Sequence, residues 1–416
     1  MRRLLADRKG RLYVAGQALS VFGDQALWLA AAIWVKTLTG SNTAAGLVFF
    51  FFGAPSLLAP VSGLLVDRVK RRPLLVATNL LLAGAALLLF LVHDRNQVWL
   101  IYVVMVLYGA AYGVLGSGES ALLRLMLPED LLGDANGILE TLRQGVRLVG
   151  PLAGAGLFAW QGGGIVAAVD SATFVIAAVT ILALRIYEPT PRPSEHRLLT
   201  EIAAGTRHLI RTTVLRQALL AGFLVVVPFG FSETVIFAVV GSGLHRPPTF
   251  LGVLSALQGV GAIAAGLTAA PLMRRTSEGG LVGLGVVVFA AATALLIPPW
   301  LPAILVGSLL LGACLPWIIV GLVTMLQRRT PLELQGRAYS AFDTLFGVPE
   351  TLSIGVGAGL VAVVDYRVLL AVMTALSALS ALYLLTRRAQ WEPAPPSPVE
   401  APSVTDAVQT IKLPIP

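Results

Sequence analysis

Asp24, Arg147, Glu233 and Glu350 all stand inside long apolar runs. An ionisable side chain at the centre of a bilayer costs roughly 2.5–3.5 kcal/mol on insertion scales, so each needs a partner or a water-lined cavity. Asp24 falls near the middle of its run. A desolvated carboxylate there suits proton carriage or contact with a cationic substrate, and a structural partner such as Arg147 is the other reading. Glu140, Arg143 and Arg147 recur at spacings of three and four, which places them on one helix face. Arg147 lies near mid-membrane. It either pairs with Asp24, Glu233 or Glu350 in one state and is released in another, or forms a permanent ion pair. Glu140, Arg143 and Asp343 read as structural charge pairs. Glu119 and Asp170 read as packing or end-cap residues.

Other chemistries are missing. The only lysines are Lys9, Lys36, Lys70 and Lys412, and none ends a phosphate-cradling Gly-rich loop. All four histidines (His93, His196, His208, His245) fall between the apolar runs, which argues against an intramembrane metal site or His-based catalysis. No metal, no cofactor and no enzymatic activity are expected. Cys314 is the sole cysteine, so no intrachain disulfide can form.

The elements that position these residues follow from composition. The chain has 416 residues, 56% hydrophobic and 12% charged. A soluble domain carries about 25% charge, so this chain reads as an all-α polytopic membrane protein. About 20 helical residues cross a bilayer. Spans are expected at 13–37, 44–66, 74–92, 98–122, 136–159, 164–184, 215–241, 249–270, 280–298, 302–325, 337–363 and 367–386. The first run holds Asp24 and shows no clear cleavage site, so it reads as a retained span rather than a signal peptide. With the N-terminus inside, every basic residue falls on the cytoplasmic side except Lys36, Arg95, Arg246 and Arg367 outside and Arg143 and Arg147 within a span. That asymmetry places both termini in the cytoplasm and accounts for the net charge of +8 without nucleic acid. The expected organisation is a six-helix bundle over 1–184, a cytoplasmic linker over 185–214, a second bundle over 215–388 and a disordered Pro-rich tail over 389–416. Within the linker Leu198, Ile202, Leu209 and Thr213 recur at helical spacing, which predicts an amphipathic helix on the inner membrane surface.

An offset of 203 residues lays Pro128, Gly133 and Ala135 on Pro331, Gly336 and Ala338, and Gly154–Leu157 on Gly357–Leu360. The same offset lays Arg71-Arg72 on Arg274-Arg275 and Arg147 on Glu350. The chain therefore reads as a tandem duplication of a six-helix unit. Its two parallel copies would rock against each other around a substrate held between them.

Gly63-Leu-Leu-Val-Asp67-Arg68-Val-Lys70-Arg71-Arg72, after the second span, is similar to the signature inner loop of the major facilitator superfamily, and the resemblance covers about residues 11–388. It implies a cytoplasmic latch made by Gly63, Asp67, Arg68, Arg71 and Arg72, with Asp67 facing the N-terminal end of the eleventh span near Gly336–Ser340. Gly150-Pro151-Leu-Ala-Gly154 resembles part of the family's antiporter motif, although the preceding glycine is at 145 rather than 146. In the second half Ala270 replaces the loop's Asp. Gly23-Asp24, Thr39-Gly40-Ser41 and Asp170-Ser-Ala-Thr-Phe174 resemble the bacterial efflux branch of drug, macrolide and siderophore exporters. The resulting expectation is a monomeric proton-coupled antiporter in a bacterial inner membrane, exporting an amphipathic or hydrophobic small molecule. An importer or facilitator on the same scaffold, or a non-transporting scramblase-like or sensory protein, is the alternative.

Overall fold

The computed structural model describes residues 8–58, 69–126, 129–184, 188 and 198–391. Among these it is helical throughout, in thirteen α-helices joined by short turns. The first half comprises α1 (Arg8–Thr39), α2 (Asn42–Gly53, continued by a 3-10 turn Ala54–Leu58), α3 (Arg71–Leu88), α4 (Val98–Met126), α5 (Glu129–Gln161) and α6 (Gly163–Ala183). The linker helix is α7 (Leu198–Arg211). The second half comprises α8 (Thr213–Ala238), α9 (Leu251–Arg275), α10 (Glu278–Leu295), α11 (Leu301–Arg329), α12 (Leu332–Leu360) and α13 (Tyr366–Leu385).

Each expected span coincides with a helix among the described residues, and residues 59–66 of the second span lie outside them. Nine spans among the described residues are long and apolar enough to cross a membrane by length and composition alone. The other three helices are α2, whose described part is short, and α5 and α12, which hold Glu140, Arg143, Arg147, Asp343 and Glu350. The charges on α5 and α12 lower their hydropathy, whereas α1 and α8 stay apolar enough to qualify while carrying Asp24 and Glu233.

The duplication is visible in the packing. In the first half α1 lies on α5 and α6, α3 on α4 and α6, and α2 on α4. In the second, α8 lies on α12 and α13, α10 on α11 and α13, and α9 on α11. Each contact has its counterpart under the repeat. Small residues permit the closest approaches, as expected where helices pack by van der Waals contact in lipid. A side chain on Gly109 of α4 would strike the Phe52 carbonyl of α2, and one on Gly312 of α11 would strike the Gln258 carbonyl of α9.

The halves meet through α2 with α8 and α12, and through α5 with α9. Gly46, Phe50 and Gly53 of α2 pack on Thr234, Gly355 and Thr351, and Gly252 of α9 packs on Leu152 and Ala155 of α5. With the cytoplasmic side assigned by the basic residues, these contacts lie from mid-membrane outward. The main apolar core runs through both halves. A separate core, including Tyr13, Leu75, Leu122, Leu139 and Ile181, gathers the cytoplasmic ends of first-half helices alone. Among the described residues, buried packing therefore joins the halves on the outer side, and on the inner side a core of first-half residues alone is found.

Helix α7 departs from expectation. Its apolar stripe was expected on the membrane surface. Instead Leu209 is buried, and Gly205 sits against the Arg337 carbonyl and Ala341 of α12. His208 Nε2 lies 3.2 Å from both the Arg329 carbonyl and the Thr330 hydroxyl. Only glycine at 205 permits this backbone approach, so α7 docks on protein at Gly205 and Leu209, while the side chains of Leu198 and Ile202 lie outside the described set. The expected helix also stops short of Thr213, which opens α8.

Candidate transport site between the halves

Asp24 lies on α1, half-buried, one turn to the inner side of Trp28. The Trp28 ring packs 4.5 Å from Phe49 of α2, and Phe49 lies 6.1 Å from Phe237 of α8. Four residues before Phe237, on the same helix face, stands Glu233. An aromatic seal thus crosses from one half to the other, with an acid from each half one turn to its inner side. Glu233 lies within electrostatic reach of Glu350 on α12, where α8 and α12 approach closely at Gly230. The second half therefore brings its two predicted acids together.

The first half holds a longer polar row. Asp24 lies within electrostatic reach of Asp170 on α6 and Glu119 on α4. Asp170 is fully buried and accepts a short hydrogen bond from the Tyr108 hydroxyl of α4. Glu119 interacts with Gln17 of α1 and forms an ion pair at 3.6 Å with Arg143 of α5. Sequence reasoning missed the place of Glu119 and Asp170 here. The cost of an intramembrane charge was the available signal. Which helix supplied the partner was not readable, because Tyr108 and Asp170 are 62 residues apart.

Arg147 is exposed and has no ion-pair partner among the described residues. On its helix Gly150 and Gly154 press on Gln25 and Ala26 of α1, while Leu152 and Ala155 face Gly252 of α9. At 100° per residue Arg147 falls between these two faces, at the gap between the halves. The antiporter-like Gly150 and Gly154 thus serve packing within the first half, with Pro151 in the same helix.

Arg143 reaches across to Glu119 in a cross-helix pair, while the side chain of Glu140, its expected intrahelical partner, lies outside the described set. One expected structural charge is corrected. Asp343 is exposed, with no ion-pair partner among the described residues. Gly63, Asp67 and Arg68 of the expected latch lie outside the described residues. Its other members turn toward their own half. The Arg71 and Arg72 backbone N–H groups donate to the two oxygens of Glu188 at 2.5 and 3.2 Å, and the Arg72 side chain donates to the Ile181 and Leu182 carbonyls of α6. Glu188 thus caps α3, favoured by the helix dipole and by the Arg71 side chain 3.8 Å away. The second half answers in kind. Ser277, at the start of α10, donates to the Gln390 carbonyl at 2.8 Å, just beyond α13.

Two six-helix halves related by the repeat, with an aromatic contact between them, give the chain the architecture of a membrane transporter. The Major Facilitator Superfamily profile matches residues 13–241 and again 223–413, and the chain belongs to that family. It is similar to lysophospholipid transporter LplT of Klebsiella pneumoniae, 30% identical over 340 residues, which cover 77% of this chain and 81% of the relative. It is also similar to macrolide efflux protein A of Streptococcus pyogenes, 27% identical over 176 residues, which cover 41% and 43% respectively. Among solved structures the nucleoside transporter NupG superposes with a TM-score of 0.73 at 11% identity, over 93% of this chain and all of that one. The protein is a multi-pass membrane transporter of a small molecule, not an enzyme.

Proposed function

We propose that this protein exports an amphipathic or hydrophobic small molecule across a bacterial inner membrane, in exchange for protons, by rocking of its two halves. It acts as a monomer, since one chain supplies both halves. One observation carries the reading. The apolar core is continuous across the halves on the outer side, while the inner ends of the first half have a core of their own. Such an arrangement supports cytoplasmic access to the gap beneath the Trp28–Phe49–Phe237 seal. Asp24 and Glu233 then meet the cargo or the proton, and Arg147 offers a cation to an anionic head group. Similarity to proteins named for lysophospholipid and macrolide supports a cargo with both a polar and an apolar part.

The test is purified protein in liposomes, offered a lysophospholipid and a macrolide as probes with and without an imposed pH gradient. Gradient-dependent movement of either probe, lost in Asp24→Asn, is expected. Equal movement with and without the gradient contradicts proton coupling, and movement of neither probe contradicts the cargo class.

A further inference from the structure

Asp170 is a buried acid with an incomplete set of partners. Its residue is fully buried, its Oδ2 accepts from Tyr108, and its Oδ1 has no hydrogen-bond partner. A buried carboxylate oxygen without a donor is costly, and such groups in native proteins have a reason. The orphan oxygen points at α1. A side chain on Gly23 would place its Cβ 2.5 Å from Oδ1 and would also strike the Thr173 hydroxyl. The residue after Gly23 is Asp24, within electrostatic reach of Asp170.

We propose that Asp170, held by Tyr108, shares a single exchangeable proton with Asp24, so that α1, α4 and α6 together build the protein's proton site. The inference rests on the proton-coupled reading above and names the second carboxyl that reading lacks. A proton on Asp24 supplies the donor that Oδ1 is missing. The surroundings offer no substitute. Facing Asp170 are Tyr108 from α4 and Asp24 from α1, and Glu119 of α4 lies within electrostatic reach of Asp24 on its other side. Arg143 of α5 is engaged with Glu119. From α3, Ala83 offers only a carbonyl, taken by Ser171, and Arg72 lies at the far inner end on Ile181 and Leu182. Thr173 spends its hydroxyl on the Asp170 carbonyl. Among the described residues Asp170 has no ion-pair partner.

The arrangement couples the proton to the gate. When the proton leaves, two like charges face each other across the contact between α1 and α6, and α1 is pushed from α6 at Asp24. Trp28, one turn further on the same face, carries that displacement to the seal on Phe49. When the proton returns, the hydrogen bond closes and the seal re-forms.

The site is tested on purified full-length protein by infrared difference spectroscopy of the protonated carboxyl band across a pH titration. Asp24→Asn and Asp170→Asn are each expected to remove the same single titrating band, and Tyr108→Phe to displace its midpoint. An Asp170→Asn protein that keeps the band, or that loses a band distinct from the one lost in Asp24→Asn, overturns the proposal. Should Asp170→Asn fail to fold, Tyr108→Phe retains both carboxyls and decides alone, an unmoved midpoint counting against the shared proton. The band is read without substrate or gradient. A wild-type protein that shows the shared band yet transports equally with and without a pH gradient therefore refutes the coupling reading while upholding the site.

Discussion

Phe49 of α2 and Phe237 of α8 stand with ring centroids 6.1 Å apart, one from each half, and Trp28 closes on Phe49 from the inside of the same seal. All three rings sit outward of Asp24 and Glu233. Truncating the middle ring opens a path from the outer face. In a Cys314→Ala background, Asp24→Cys should resist a membrane-impermeant thiol reagent added outside, and Asp24→Cys with Phe49→Ala should label. Equal labelling with and without Phe49 contradicts a seal at this level.

The two carboxylate oxygens of Glu188 hold the first two N–H groups of α3, and the Arg71 side chain adds a third contact. Glu188→Ala removes a charge-assisted cap, an effect of about 1–2 kcal/mol for strong caps. The expected outcome is a lowered melting temperature with the helical content retained. The conservative Glu188→Gln, which keeps one acceptor oxygen, should recover part of the loss.

The repeat and the apolar runs made the twelve-helix plan legible, because period and length are written locally. The central residues were legible only as types. Asp24, Arg147, Glu233 and Glu350 stood out because charge is costly in a bilayer. Their partners did not, since the fold brings Glu119 to Arg143 and Tyr108 to Asp170 from distant helices. The amphipathic stripe of α7 was visible, but whether lipid or protein covers it depends on Gly205 meeting the Arg337 carbonyl, a contact no periodicity announces. Glu188, beside the linker prolines, carries no such signal in the sequence. Its meaning comes from the helix end it caps.

Gly154 and Gly156 separate packing from mere composition. A side chain on Gly154 would strike the backbone of Ala26, whereas nothing lies within 4 Å of one on Gly156. Gly154→Val should destabilise by about 1–3 kcal/mol through overpacking against α1. Gly156→Ala should leave the melting temperature unchanged or slightly raised, since alanine favours the helix. Thermal unfolding in detergent measures both, and equal effects contradict the close α1–α5 approach.

Arg143 and Glu119 form an ion pair whose acid is the more buried partner. Removing only the cation leaves that acid without its counter-charge, which costs more than removing both. Arg143→Met should therefore destabilise more than Arg143→Met with Glu119→Gln. A double-mutant cycle on thermal stability should show a coupling of about 1 kcal/mol. Additive effects contradict a direct pair.

The central claim is that transport requires the outer contact between the halves to open. The Ser56 and Thr351 hydroxyls meet 3.3 Å apart across α2 and α12, close enough for cysteines there to approach disulfide geometry. The most direct measurement is transport by Ser56→Cys/Thr351→Cys protein, in a Cys314→Ala background, reconstituted and assayed oxidised and then reduced. The account predicts that the cross-linked protein loses transport and that reduction restores it. A cross-linked protein that transports as fast as the reduced one contradicts alternating access through this interface.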